Sequence, residues 1–290
     1  MNRSTYMEII KQCDKVLTDD KRKVWATRLK NSQKGNVVRY LITDFRAFGL
    51  LTGIVRYYST RRKTNERIFY RGQSNEWPLK PKIYRGCEPK NCNINKEVEL
   101  AKEKMILANE WKKAAMDLIL AEQFDFNGTL DEREAMAQHY GMSTSFIDIV
   151  DHIQTALWFA YNTLDANASA GYVYVISVPT YKATIIDLRN KPSIWLRPKV
   201  QQAYCFKMNK ITEFGKIPER YHIMTFVVPR ELLRIWSNYD VIGEDYMFPT
   251  ADTDKGLYHW RKAECRLVNS GIEISPEKWI EQKLAEKGLI

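Results

Sequence analysis

With 290 residues, 44% of them hydrophobic and 28% charged, the chain holds enough apolar side chains for one large domain or two modest ones. Lys and Arg outnumber Asp and Glu by 45 to 35, and the resulting net charge of +10 favours polyanionic partners such as nucleic acid. Five scattered cysteines without a C-x-x-C pair fit a reducing compartment better than a disulfide framework and argue against structural zinc, so no metal site is expected. The N-terminus lacks an apolar leader, and the longest apolar run, residues 47–55, is broken by Gly49, Thr52 and Gly53. It is too short to span a bilayer, and a cytoplasmic protein is expected.

In chain order, residues 4–18 read as an amphipathic helix capped by Ser4 or Thr5, with Ile9, Ile10, Cys13, Val16 and Leu17 at helical spacing. Residues 36–58 place Val38, Leu41, Ile42, Phe45, Phe48 and Leu51 at steps of three and four, which predicts a second helix. A charged connector at 60–67 then sets a boundary between an N-terminal helical extension, 1–66, and a domain over 67–290. A short strand at 68–71 is closed by Gly72. The apolar stripe Val98, Ala101, Met105, Ala108, Trp111, Ala115 and Leu118 predicts a long helix over 97–123. Helices are expected at 131–139, ending near Gly141, at 151–163 and at 230–236, and Ser275-Pro276 opens a terminal one. Strands are expected at 143–146, 172–178, 184–187, 220–228 and 264–268. The fold class is α+β, a mixed, mainly antiparallel sheet surrounded by helices.

Three separated segments carry the chemistry. In Tyr70-Arg71-Gly72-Gln73, an arginine at a strand end can grip phosphate or ribose oxygens with its planar fork, and the glycine lets a ligand approach the backbone. In Gln138-His139-Tyr140-Gly141-Met142-Ser143-Thr144-Ser145, the strand pattern puts Ser143 and Ser145 on one face and Thr144 on the other. His139 and Tyr140 can stack on a base, and the imidazole can shuttle a proton or simply close the helix. The third segment, Arg197-Pro198-Lys199-Val200-Gln201-Gln202, offers amides and no acid. No phosphate loop, H-E-x-x-H or G-x-S-x-G occurs.

The order of these segments resembles the core of ADP-ribosyltransferases of the Arg–Ser–Glu type. The chain as a whole, over about 67–260, resembles the FRG-domain family, named for an (F/Y)RG motif. The Ser-Thr-Ser-Phe-Ile-Asp run departs from that family's commoner Thr-Arg-Leu-Leu-Asp towards the transferase pattern and keeps Asp148 in the shared place. Met247-Phe248-Pro249 resembles the family's closing turn and is assigned no chemistry. The resemblance implies NAD as substrate, with Arg71, Gly72, Gln73, His139, Tyr140, Ser143, Thr144, Ser145 and Gln201 around it. It leaves the acid open. Gln202 follows from its place in the family pattern and Glu264 from its chemistry, with Glu213 and Asp148 behind them.

What the resemblance implies for function is an NAD-dependent ADP-ribosyltransferase acting on RNA or DNA. It would be a toxin of a toxin–antitoxin or anti-phage defence system, with a neutralising antitoxin protein as partner. A non-catalytic binding module and an NAD glycohydrolase are the alternatives. Arg61, Arg62, Lys63, Arg67, Lys80, Lys82 and Arg85 flank Arg71, with Trp77 and Tyr84 among them as base-stacking surfaces for a nucleic acid.

Overall fold

The structure, a computed structural model, describes residues 3–18, 21–29, 37–61, 66–91, 94–121, 128–192, 194–209, 215–273 and 275–290. Its frame is one eight-stranded sheet: β1 (Ala26–Arg28), β2 (Val38–Ile42), β3 (Glu66–Gln73), β4 (Ile147–Val150), β5 (Ala170–Pro179), β6 (Ala183–Asp187), β7 (Ala203–Met208) and β8 (His222–Pro229). They lie in the order β1-β2-β8-β5-β3-β4-β7-β6. Only β2 and β8 run parallel; every other neighbouring pair is antiparallel. This is the mixed, mainly antiparallel α+β architecture expected.

Among the described residues, ten α-helices pack around the sheet: α1 (Arg3–Leu17), α2 (Arg46–Arg61), α3 (Asn95–Ala121), α4 (Leu130–His139), α5 (Ile153–Asn162), α6 (Leu196–Val200), α7 (Arg230–Trp236), α8 (Glu244–Met247), α9 (Lys255–Asn269) and α10 (Pro276–Glu286). One core lies under α1, α2 and α5, where Phe48, Leu51 and Val55 meet Val173, Phe226 and Val228. A second lies among α3, α4, α9 and α10 around Trp111, Trp195 and Trp260. A third, with Phe69, Ile147, Ile149 and Ile176, covers the opposite face of the sheet. No helix among the described residues is long and apolar enough to cross a membrane.

Three sequence expectations are corrected. The helix read over 36–58 is a strand first and a helix only from Arg46, because Tyr40 and Ile42 alternate into the core while Val38–Leu41 pair with Met224–Val227 of β8. Asp44 ends the strand by accepting from the Arg46 backbone N–H at 2.9 Å. The N-terminal segment therefore supplies two strands as well as two helices, and β2 belongs to the common sheet. The strand read over 264–268 lies inside α9, whose buried Leu257, Trp260, Ala263 and Leu267 recur at helical spacing after the Asp254 cap. The strand read over 143–146 begins only at Ile147, for reasons given below.

The seam between N-terminal segment and sheet is an aromatic one. Phe48 sits edge-on to Phe226 at 5.3 Å and to Trp236 at 5.6 Å. Phe48→Ala should cost about 3–5 kcal/mol of unfolding free energy, measured in denaturant. A loss below about 1 kcal/mol would mean that the segment rests only loosely on β8.

Candidate functional site

The sheet is not continuous at its centre. β3 pairs with β5 along all eight of its residues but meets β4 at a single pair, Tyr70 opposite Val150. Beyond that pair the two strands part, and Arg71 bridges the gap. Its Nη1 donates to the Asp148 main-chain carbonyl at 2.5 Å, filling the place of a ladder hydrogen bond. Its Nε donates to Gln73 Oε1 at 3.3 Å. Gln73 in turn donates to the Trp77 carbonyl at 3.1 Å, which also accepts from the Tyr174 hydroxyl at 2.7 Å. Arginine, amide and loop carbonyl are thus locked in series.

A cavity of about 370 Å³ opens where the strands part. Arg71, Arg85, His139 and Asp148 supply its polar wall, and Trp77, Phe159 and Phe248 its aromatic one. Gly72 lies on the wall for a reason other than ligand approach. A Cβ there would stand 1.7 Å from the Ala156 carbonyl oxygen and 2.7 Å from the Ala160 nitrogen, so the glycine lets α5 lie against β3 and carry Phe159 to the cavity.

Asp148 is the acid of this site. It stands opposite Cys205 in the β4–β7 register, yet its side chain is 43% exposed towards the cavity. The carboxylate accepts from Gln138 Nε2 at 3.2 Å and from the Cys205 thiol at 3.3 Å, with His139 Nδ1 3.7 Å away. Burial pushes its pKa up. The neighbouring His139 and then the Arg71 guanidinium outweigh that and hold it well below the usual carboxylate range. Burial and then Asp148 push the Cys205 thiol well up, and burial lowers Arg71 against the pull of Asp148.

His139, Asp148 and Cys205 bring their donor atoms within 4.8 Å of one another, a set that could ligate a cation. The Arg71 charge beside Asp148 opposes that use. The cluster instead fixes the orientation of the carboxylate.

The Ser-Thr-Ser run, expected as a ligand-contacting strand, is corrected to a buried support. Ser143 and Thr144 are buried, and none of the three residues lines the cavity. The Ser145 backbone and hydroxyl donate to Glu134 at 3.0 and 2.6 Å, and Thr144 donates to the Gln138 side chain. Thr144 also accepts from the Phe146 amide at 3.2 Å. These hydrogen bonds draw the chain towards α4 and delay the start of β4. They also aim Gln138 at Asp148.

Tyr140 is likewise structural: its hydroxyl donates to Asp254 at 2.7 Å, and its ring lies under the Arg197 guanidinium at 4.9 Å. Gln201 does line the cavity, and its amide holds the Met247 carbonyl at 2.5 Å beside Phe248. Neither favoured acid candidate reaches the cavity. Gln202 is exposed, with φ of 50°, and bonds back to the Lys199 carbonyl at 3.1 Å. Glu264 lies on α9, where its charge acts on Arg197. Glu213, Arg62 and Lys63 lie outside the described residues.

Sequence reasoning missed Phe159 and Phe248 as cavity residues; Trp77 and Arg85, expected on a nucleic-acid surface at the mouth of the cleft, line the cavity itself. Phe248 had a signal in its place beside a proline in a short aromatic turn, but only tertiary contacts, with Gln201, Trp158 and Phe159, show where that turn docks.

Against known families, residues 66–169 match the FRG domain. The chain carries an FRG domain. The matched stretch begins at β3 and ends just before β5, so it holds Arg71, Trp77, Arg85, His139, Asp148 and Phe159, while Gln201 and Phe248 come from outside it. No curated protein and no solved structure matches the chain.

Two outcomes follow from this geometry. In the FRG domain, Gly72→Ala should cost about 1–3 kcal/mol through the clash with α5, measured as a lower denaturation midpoint without ligand. An unchanged midpoint would place α5 elsewhere. The folded Asp148 carboxyl lies below its unfolded value of about 3.9, so its stabilising contribution is present above that pH and lost as the pH falls through the folded value. Asp148→Asn should therefore flatten the fall in stability below about pH 4, followed by urea unfolding. An acid limb as steep as in the unsubstituted protein would contradict the assignment.

Proposed function

We propose that the cavity binds NAD and that the protein is an ADP-ribosyltransferase whose acid is Asp148. One observation carries this reading. An arginine and an ionised carboxylate on two parting strands face one aromatic-lined cavity. In this reading the aromatic side chains take a base and Arg71 takes ribose or phosphate oxygens.

As the bond between nicotinamide and ribose C1′ breaks, its electron pair leaves on neutral nicotinamide and positive charge develops on the ribose. A carboxylate fixed beforehand by Gln138, Cys205 and His139 stabilises that charge without reorganising. An acceptor lone pair then forms the new C1′ bond and the acceptor gives up its proton to water. Gln202 and Glu264, off the cavity, have no part in this scheme. The charge of +10 makes nucleic acid the acceptor class, and a cell making such an enzyme needs a neutralising partner, as a toxin does.

The test is release of nicotinamide from NAD by the purified protein. Asp148→Asn should lower the rate by about 10²–10³-fold, as removal of one transition-state electrostatic partner does. Arg71→Ala should weaken NAD binding by about 1.5–3 kcal/mol. NAD binding without any nicotinamide release would favour a non-catalytic binding module, and release without transfer to any macromolecule a glycohydrolase. Full activity in Asp148→Asn would refute the assignment of the acid.

A further inference from the structure

The split between β3 and β4 opens on two sides. A second chamber, of about 200 Å³, adjoins the first and shares Arg71, Arg85 and Asp148 with it. Its remaining polar wall is Lys80, Lys82 and Gln138. None of the aromatic side chains of the first chamber lines it, and its own aromatic residue, Phe146, is buried. Four cations therefore surround a small space whose only lining carboxylate, among the described residues, is Asp148.

These cations are held there at a cost. The Lys80 side chain is 2% exposed, and its Nζ pairs with Glu88 at 2.7 Å. Burial lowers its pKa, with Glu88 acting the other way. Lys82 is exposed and spends one proton on the Gly141 carbonyl at 3.3 Å, leaving two donors free to turn inward. Burial lowers the Arg71 pKa, and repulsion from Arg85 adds to that. Counting Asp148 and Glu88 against the four cations leaves two positive charges at the chamber. That matches a terminal phosphate, which carries about −1.5 to −2 at neutral pH, better than a singly charged phosphodiester. Guanidinium forks and ammonium point charges are the groups that recognise such oxygens.

We infer that the second chamber is a phosphate subsite for a nucleic-acid strand that ends in a phosphate. It rests on the reading of the first chamber as the NAD site, in which the strand would be the acceptor brought up to Asp148 from the other side. The donor's own diphosphate is the rival occupant, and Lys82 separates the two because it lines the second chamber alone.

Binding of a short fluorescent oligonucleotide with a 5′-phosphate is compared with the same strand ending in a 5′-hydroxyl, by anisotropy on the full chain. The phosphorylated strand should bind about tenfold tighter, the worth of one charge-assisted contact. Lys82→Gln should abolish that preference and Lys82→Arg should keep it, the second variant showing that the position tolerates substitution. Nicotinamide release measured without oligonucleotide should be the same in Lys82→Gln as in the unsubstituted protein. Equal binding of both strands would overturn the subsite. So would a loss of NAD binding in Lys82→Gln as large as the loss of strand binding, because the chamber would then hold the donor. A phosphate preference that survives where NAD neither binds nor releases nicotinamide supports the subsite while refuting the NAD reading.

Discussion

A side chain standing in for a strand is the constraint on which the site depends. Beyond Tyr70 β3 has lost its neighbour on one side, and the carbonyl that β4 would have offered to a strand amide is taken by the Arg71 guanidinium instead. A buried main-chain oxygen left without a donor would cost about 1–3 kcal/mol. The arginine answers that need and in doing so is fixed with its fork between two chambers. Removing it would both leave the carbonyl without a partner and uncover Asp148.

Keeping a guanidinium in so enclosed a place is unfavourable in itself, and the fold meets the cost with a carboxylate rather than with solvent. Asp148 needs support of its own, which comes from three directions: Gln138 and His139 at the end of α4, and Cys205 on β7. Gln138 is aimed by Thr144, so the Ser-Thr-Ser run acts on the site through a second residue. On the far wall, Asp254 gathers the Tyr140 hydroxyl and the amides of Leu196, Arg197 and Leu257, placing α6 and with it Gln201. Gln201 holds the turn that presents Phe248. A polar centre with long-range supports of this kind tolerates little rearrangement.

Much of the frame was legible in the sequence where periodicity had one reading. The stripe from Val98 to Leu118 is a helix, and the β-branched run of β5 is a strand. Residues 38–42 failed because Val38, Leu41 and Ile42 fit a helical spacing while Tyr40 and Ile42 fit a strand, and the partner that decides, β8, lies far along the chain. At the site, Arg71 was legible from its motif. Asp148 carried a signal that was ranked too low: a lone acid within Ile147-Asp148-Ile149-Val150 sits where an apolar strand has no other use for a charge. Ser143 and Ser145 misled because strand alternation does not hold here: Glu134 and Gln138 capture the Ser145 and Thr144 hydroxyls and bend the run off that path. Tertiary hydrogen bonds of that kind leave no trace in local pattern.

The central claim is that the parted edges of β3 and β4 are one ligand site. Hydrogen–deuterium exchange of the full chain with and without NAD reads both edges at once. Amides of residues 71–77 and of 148–150 should slow together on addition of NAD. Exchange that is unchanged along both edges, or protection confined to the surface of α1 and β2, would contradict the account.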